Sequence, residues 1–280
     1  MARRVKGELH LPPPNAEQRY LNLLLDPLDG CANYKPKFGT EEKEGVSLTQ
    51  FKTLYGQDPF YHWVGLDSDL MYAAHKAAGG MTSIYRQLGT GCDSLFRAVI
   101  RDALLLAEEE VAWSYEYNKK DKTKGIAKLD ARIDIAHITR KREAQARVTD
   151  WLARSGNYLG LTADRIGQLR GAIFETRQGY KSADAKRSNA DLQFAMNASA
   201  ENYLPVLAIF STQASRSVLR RYQNAKMLVM TGNLADDDTT STYAFFRKVV
   251  GFELDEFFKH NTDAMRRRCR KVLEALLTPT

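Results

Sequence analysis

Apolar residues along the chain change their spacing several times, and each change predicts a different kind of element. Through residues 1–60 no period holds: Pro12, Pro13, Pro14, Pro27, Pro36 and Pro59 stand among turn formers, and a single helix is expected, over 16–25. Over 62–107 the spacing turns helical. Met71, Ala74, His75 and Ala78 recur at helical intervals, Gly79-Gly80 is expected to break that run, and 84–88 forms a further short piece. Leu95, Val99, Ala103 and Leu106 make one stripe along a helix over 93–109, with Asp93 or Ser94 as its cap.

The period then falls to two. Residues 111–117 alternate large apolar with small or polar side chains, 118–125 is polar and turn-forming, and 126–138 alternates again, which predicts a β-hairpin. In its second arm Leu129, Ala131, Ile133 and Ile135 are expected to face the core, leaving Asp130, Arg132 and Asp134 together on the opposite face. A charged segment, 139–170, is helical over 144–152 and 162–169. Gly171-Ala-Ile-Phe-Glu-Thr-Arg177 then forms a short strand in which Glu175 and Arg177 share one face and Phe174 and Thr176 the other.

A helix ending near Ala200, the very apolar strand 203–210, a basic helix over 211–221 and a strand over 226–230 follow. Residues 233–241 read as an acidic loop and 243–277 as helices. This order predicts an α/β (α+β) fold with a mixed central β-sheet flanked by helices. It divides into an arm and helical region at 1–92, a candidate for DNA recognition; a core at 93–232 with a helical insertion at 139–170; and a C-terminal helical extension at 233–280.

Composition narrows the class. In 280 residues, 44% hydrophobic and 27% charged, a folded globule is expected rather than disorder. With 41 Lys+Arg against 34 Asp+Glu the formal charge is +7, which draws the chain toward polyanions: DNA, RNA or an anionic surface. No apolar run reaches the roughly 18 residues of a spanning helix, and Met-Ala-Arg-Arg-Val-Lys lacks the apolar region of a secretory signal, so no membrane and a cytoplasmic location are expected. Cys31, Cys92 and Cys269 are too few and too scattered for a disulfide framework or a CxxC zinc pair.

Candidate chemistry centres on the Glu175 strand. Cutting a phosphodiester needs an activated water, charge relief on the phosphate and a stabilised leaving oxygen; Mg2+ held by two carboxylates supplies much of this. The constellation expected is Asp130 and Glu175 as metal ligands, with Arg177 and Lys181 supplying positive charge. Asp134 shares the face of Asp130 and is an alternative ligand; Asp164 lies nearer Glu175 in sequence but reads as a helix N-terminal charge. For a lone E-x-R an exposed ion pair is the commoner reading, and it is the element order and the following KSADAKR run that favour chemistry. His62, His75 and His137 show no metal-ligand spacing.

DNA-binding candidates are Lys181, Lys186, Arg187 and Asn189 at the start of the next helix, where amides and cations could grip phosphate. Gln178, Tyr85, Arg86 and Gln87 are candidates for reading base edges. Arg216, Arg220 and Arg221, and the run 266–271, are further basic faces.

Over roughly 93–232 this order of helix, hairpin with Asp, strand with Glu-x-cation, helix and strand resembles the PD-(D/E)XK nucleases, and within them the type II restriction endonucleases. The phrases HWVGLDSDLMYAAHKAAGGMTSIYRQLGTGCDSLFR and FETRQGYKSADAKRSNAD look like the ApaLI-like branch. The resemblance implies a restriction-endonuclease-like core, Mg2+-dependent cleavage of double-stranded DNA at a short site, and a homodimer matching a palindrome. Carried over, the first metal acid falls on Asp130 in LDARIDI, the second on Glu175 in FETR and the cationic position on Arg177. The chain departs from the family in three ways: arginine stands where lysine is usual, no proline precedes Asp130, and the two acids are further apart than in most members. Arginine can polarise or position but is a poor general base, which leaves Lys181 as an alternative and keeps two other readings open: a non-catalytic DNA-binding protein on this fold, and a metal-independent restriction glycosylase.

Overall fold

The computed structural model describes residues 14–39, 41, 44–118, 123–180 and 185–279, with 14 and 185–187 described by backbone alone. In chain order the helices are α1 (Pro14–Asp29), α2 (Leu48–Gly56), α3 (Pro59–Trp63), α4 (Asp69–Leu104), α5 (Glu108–Val111), α6 (Arg142–Tyr158), α7 (Ala163–Gly167), α8 (Ala185–Ala200), α9 (Arg216–Asn224), α10 (Thr242–Phe245), α11 (Leu254–His260) and α12 (Thr262–Leu277). The strands are β1 (Trp113–Asn118), β2 (Lys124–Leu129), β3 (Ala131–Asp134), β4 (Gly171–Arg177), β5 (Tyr203–Ile209) and β6 (Leu228–Met230). β1 and β2 form an antiparallel pair, and the other four strands form one sheet in the order β3-β4-β5-β6. In that sheet β3 runs antiparallel to β4 while β4, β5 and β6 are parallel, so the fold is mixed α/β, as the element order predicts.

The chain divides into two compact units, one drawn from 1–20 and 92–259, the other from 21–91 and 260–280. The first holds both sheets. Every residue of β5 is buried, which explains its unbroken apolar run: a parallel strand covered on both faces has no polar side to alternate with. Pro205 lies inside this strand, yet β6 pairs only with Val206–Ala208, so the proline falls where β5 has a neighbour on one side only. Phe96, Trp151, Phe174, Phe245 and Phe246 pack ring against ring around the buried face of β4.

The hairpin's second arm departs from expectation. Instead of one strand over 126–138, the chain bends at Asp130: β2 pairs with β1, β3 joins the central sheet, and 135–137 closes a 3-10 turn. Asp134, expected on one face with Asp130 and Arg132, is 1% exposed. The basic helix after β5 begins at Arg216, not near 211, because 211–215 runs beside Tyr180, whose N–H donates to the Gln213 carbonyl at 2.8 Å.

In the second unit α4 passes through Gly79-Gly80 without the expected break. These glycines are there for close approach: a Cβ at 79 would run into the Tyr34 ring and one at 80 into Leu276. The N-terminal region is more helical than expected. α2 starts on a Ser47/Gln50 capping box and α3 on Asp58 with Pro59 next, signals that the proline count obscured. Phe51, Tyr72 and Val46 form a small core there. No helix among the described residues is long and apolar enough to cross a membrane.

Candidate active site

The register of β3 against β4 decides which acids meet. Ala131 pairs with Phe174, so Asp130, one residue before the ladder, comes level with Glu175. Opposed residues on antiparallel strands project to the same side. The Asp130 N–H donates to the Phe174 carbonyl at 3.2 Å, and the Thr176 N–H donates to Asp130 Oδ2 at 2.6 Å. Arg97, on α4, donates Nε to the Asp130 carbonyl at 2.6 Å and Nη2 to the Leu129 carbonyl at 3.2 Å, which pins the bend from the other side.

Glu175 and Arg177 share the outer face of β4 while Phe174 and Thr176 are buried, as the strand period predicts. The two form an ion pair through Arg177 Nη1. Arg177 Nη2 reaches a further carboxylate, Asp191 on α8, at 3.0 Å. Asp93, one helical turn before Arg97 on α4, completes the group. It lies inside α4, so it is not the helix cap expected from sequence, and its Oδ1 is buried with no hydrogen-bond partner.

Burial and mutual repulsion push the acids toward the neutral form. Asp93 is raised to about 8, by burial first and then by the charges of Asp130 and Glu175. Glu175 is raised to about 7 by burial, with Arg177 pulling down and Asp130 and Asp191 pushing up. Burial also raises Asp130, against the Thr176 amide, Arg177 and Arg97. Burial disfavours the Arg177 cation, yet Glu175, Asp191 and Asp130 hold it charged well beyond the usual arginine range.

The other expected site residues are placed differently. Asp134 stands opposite Gly171, at the far end of the β3–β4 pairing from Glu175, and does not join the acids. Its carboxylate accepts from the Tyr203 hydroxyl at 2.6 Å, the Ala136 amide at 2.9 Å and Arg170 at 3.0 Å. Burial would raise this acid, but those donors hold it below the ordinary carboxylate value. Asp164 sits in the first turn of α7, as its helix-charge reading expects.

Gln178 follows directly on β4 and is half-buried, and Asn189 accepts from Arg221 at 3.0 Å on an exposed face. Arg86 is exposed and Gln87 half-buried on the part of α4 that belongs to the other unit. Lys181 lies outside the described residues, as do the side chains of Lys186 and Arg187.

Sequence reasoning missed Asp93, Arg97 and Asp191 as site residues. The signal was present. Asp93 lies three and seven residues before the buried Phe96 and Ile100, and Asp191 three, four and seven before the buried Phe194, Ala195 and Ala198, so each is an acid on an otherwise apolar helix stripe.

Among the described residues, no three His, Cys, Asp or Glu side chains converge as a ready metal cage. Mg2+ does not require one: it is commonly held by one or two carboxylates, with water and substrate phosphate completing the shell. Asp130 and Glu175, level with each other, are the one or two carboxylates such an ion uses once they are ionised, and Asp93 adds a buried oxygen lacking a partner. Elsewhere in the same unit, a cleft of about 1040 Å3 is lined by Tyr20, Asp102, Lys141, Arg142, Arg147 and Phe252 among others, and holds none of the four acids.

Set beside known proteins, the chain matches no family model, no curated protein and no solved structure.

Proposed function

We propose that the protein is a Mg2+-dependent endodeoxyribonuclease of the type II restriction kind, with a PD-(D/E)XK-like core, acting as a homodimer on double-stranded DNA. The observation that carries this reading is the level placement of Asp130 and Glu175 across β3 and β4, with Asp93 near enough to feel the charge of both and the Arg177 cation paired to Glu175. Bound there, the metal would supply an acidified water and charge relief on the phosphate. Asp130 and Glu175 would hold it, with Asp93 as a carboxylate outside the ion's own ligands. Arg177, permanently charged, would stabilise the negative charge that builds on the phosphate oxygens, and would not take a proton from the attacking water.

Mg2+ and plasmid DNA are expected to give discrete fragments, and mapping their ends would reveal the recognition site. Cutting that survives excess EDTA would remove the metal and point to base excision.

A second reading is favoured by one feature: Arg177 already occupies both Glu175 and Asp191. A guanidinium in that place can hold the acids together with no ion present, which suits a non-catalytic DNA-binding protein. Binding in Ca2+ with no cutting in Mg2+ would select it.

A further inference from the structure

Arg177 is held by two carboxylates, and on the nuclease reading only one of them stays with it. Nη1 meets Glu175, which would turn to a metal ion; Nη2 donates to Asp191 Oδ1 at 3.0 Å. Asp191 is 3% exposed. Its Oδ2 accepts the Tyr222 hydroxyl at 2.7 Å and the Tyr180 hydroxyl at 3.1 Å, and the two hydroxyls are 2.8 Å apart. Both tyrosines are buried, and their rings meet edge to face at 6.0 Å. Both phenols also bond the Ser188 side chain, and turning the carboxylate would break its bonds to the two phenols and to the buried guanidinium at once. The Arg177 Nε is itself buried with no partner, so the orientation of the fork is set through its Nη atoms.

We propose that Asp191, clamped by Tyr180 and Tyr222, is a positioning residue that fixes the Arg177 guanidinium independently of Glu175. If Glu175 turned to a cation, the Nη1 N–H that pairs with it would be freed toward a phosphate, while Nη1 keeps its bond to the Thr176 carbonyl at 3.2 Å and Nη2 stays anchored on Asp191. The catalytic consequence rests on the nuclease reading; the anchoring does not. An arginine needs such a fixture more than a lysine would, because its planar fork bonds in few orientations whereas an ammonium rotates at will.

The test is a double-mutant cycle on the full chain, using Asp191→Asn, Arg177→Met and the pair. It reads single-turnover cleavage of plasmid DNA in Mg2+ and affinity for the same DNA in Ca2+. Asp191→Asn is expected to slow cleavage about 100-fold with affinity little changed, and to cost nothing further once Arg177 is gone. Equal losses with and without Arg177 would overturn the proposal and leave Asp191 a scaffold residue. Tyr222→Phe keeps the ring and removes one bond to Asp191; it is expected to fold normally and to slow cleavage by a smaller factor.

A second measurement does not depend on cutting. Nitrogen-15 NMR of the Arg177 guanidinium should show slow solvent exchange and hindered rotation in the wild type, both relaxed by Asp191→Asn and by Tyr222→Phe. Unchanged signals would overturn the anchoring. If the wild type cuts nothing, the nuclease reading falls, and this arm alone decides the role of Asp191.

Discussion

The backbone N–H of Thr176 donates to the carboxylate of Asp130 at 2.6 Å. One strand thus orients the acid at the end of its neighbour, and the same strand carries Glu175 on its next outward position. The first prediction concerns that partner. Glu175→Ala is expected to slow cutting by about 100- to 1000-fold or more while DNA affinity in Ca2+ changes little, since an ion ligand is lost and no phosphate contact. Cleavage at the wild-type rate would remove Glu175 from the chemistry.

The raised acids make stability depend on pH. Asp93 at about 8 and Glu175 at about 7 bind protons more tightly in the folded chain than in the unfolded one. Their contribution is therefore fully present below the ordinary carboxylate range and is lost as pH rises through 7 to 8. The group titrates as a unit. The metal-free Tm is expected to fall from pH 5 to pH 8, and Mg2+ to raise it more at pH 8, where the ionised acids bind it. In Asp93→Asn the slope should flatten, the metal-free protein should be more stable at pH 8, and the Mg2+ needed for cutting should rise about 10- to 100-fold. An unaltered pH slope would mean that Asp93 does not titrate with the others.

Arg97 serves the bend rather than the phosphate. Its two bonds to the Leu129 and Asp130 carbonyls predict that Arg97→Ala costs on the order of 2 kcal/mol in urea unfolding and also impairs cutting, by loosening Asp130. A midpoint equal to the wild type would show that the bend is held by the β3–β4 ladder alone.

Gly171 opens β4 against Ile133, and a Cβ there would run into the Ile133 carbonyl, which cannot give as a side chain could. Gly171→Ala is expected to cost about 1–3 kcal/mol and to shift β3, carrying Asp130 with it. Gly167→Ala, where a Cβ meets nothing within 4 Å, is the control and should leave stability and cutting alone. Equal behaviour of the two variants would count against a tight β3–β4 approach.

The alternation across 171–177 was enough to place Glu175 and Arg177 on one face, and the apolar run 203–210 was enough to predict a strand there. What the period could not convey was tertiary. Asp130 and Asp134 look alike in sequence, and only the bend between β2 and β3 separates an acid level with Glu175 from one buried against Tyr203 and Arg170. Gly79-Gly80 reads as a helix break until Tyr34 and Leu276 are seen to need the space. Asp93 reads as a helix cap, and although the apolar stripes around Asp93 and Asp191 point to burial, nothing local reveals the carboxylates and the guanidinium they face.

The kink at Asp130 also separates two jobs. Upstream of it the β1–β2 ribbon is paired only with itself, and downstream the chain is locked by Arg97, the Phe174 carbonyl and the Thr176 amide. Changes of length between β1 and β2 would thus be absorbed before they reach Asp130. What the ribbon touches could then be retailored while the acids of the proposed site stay where they are.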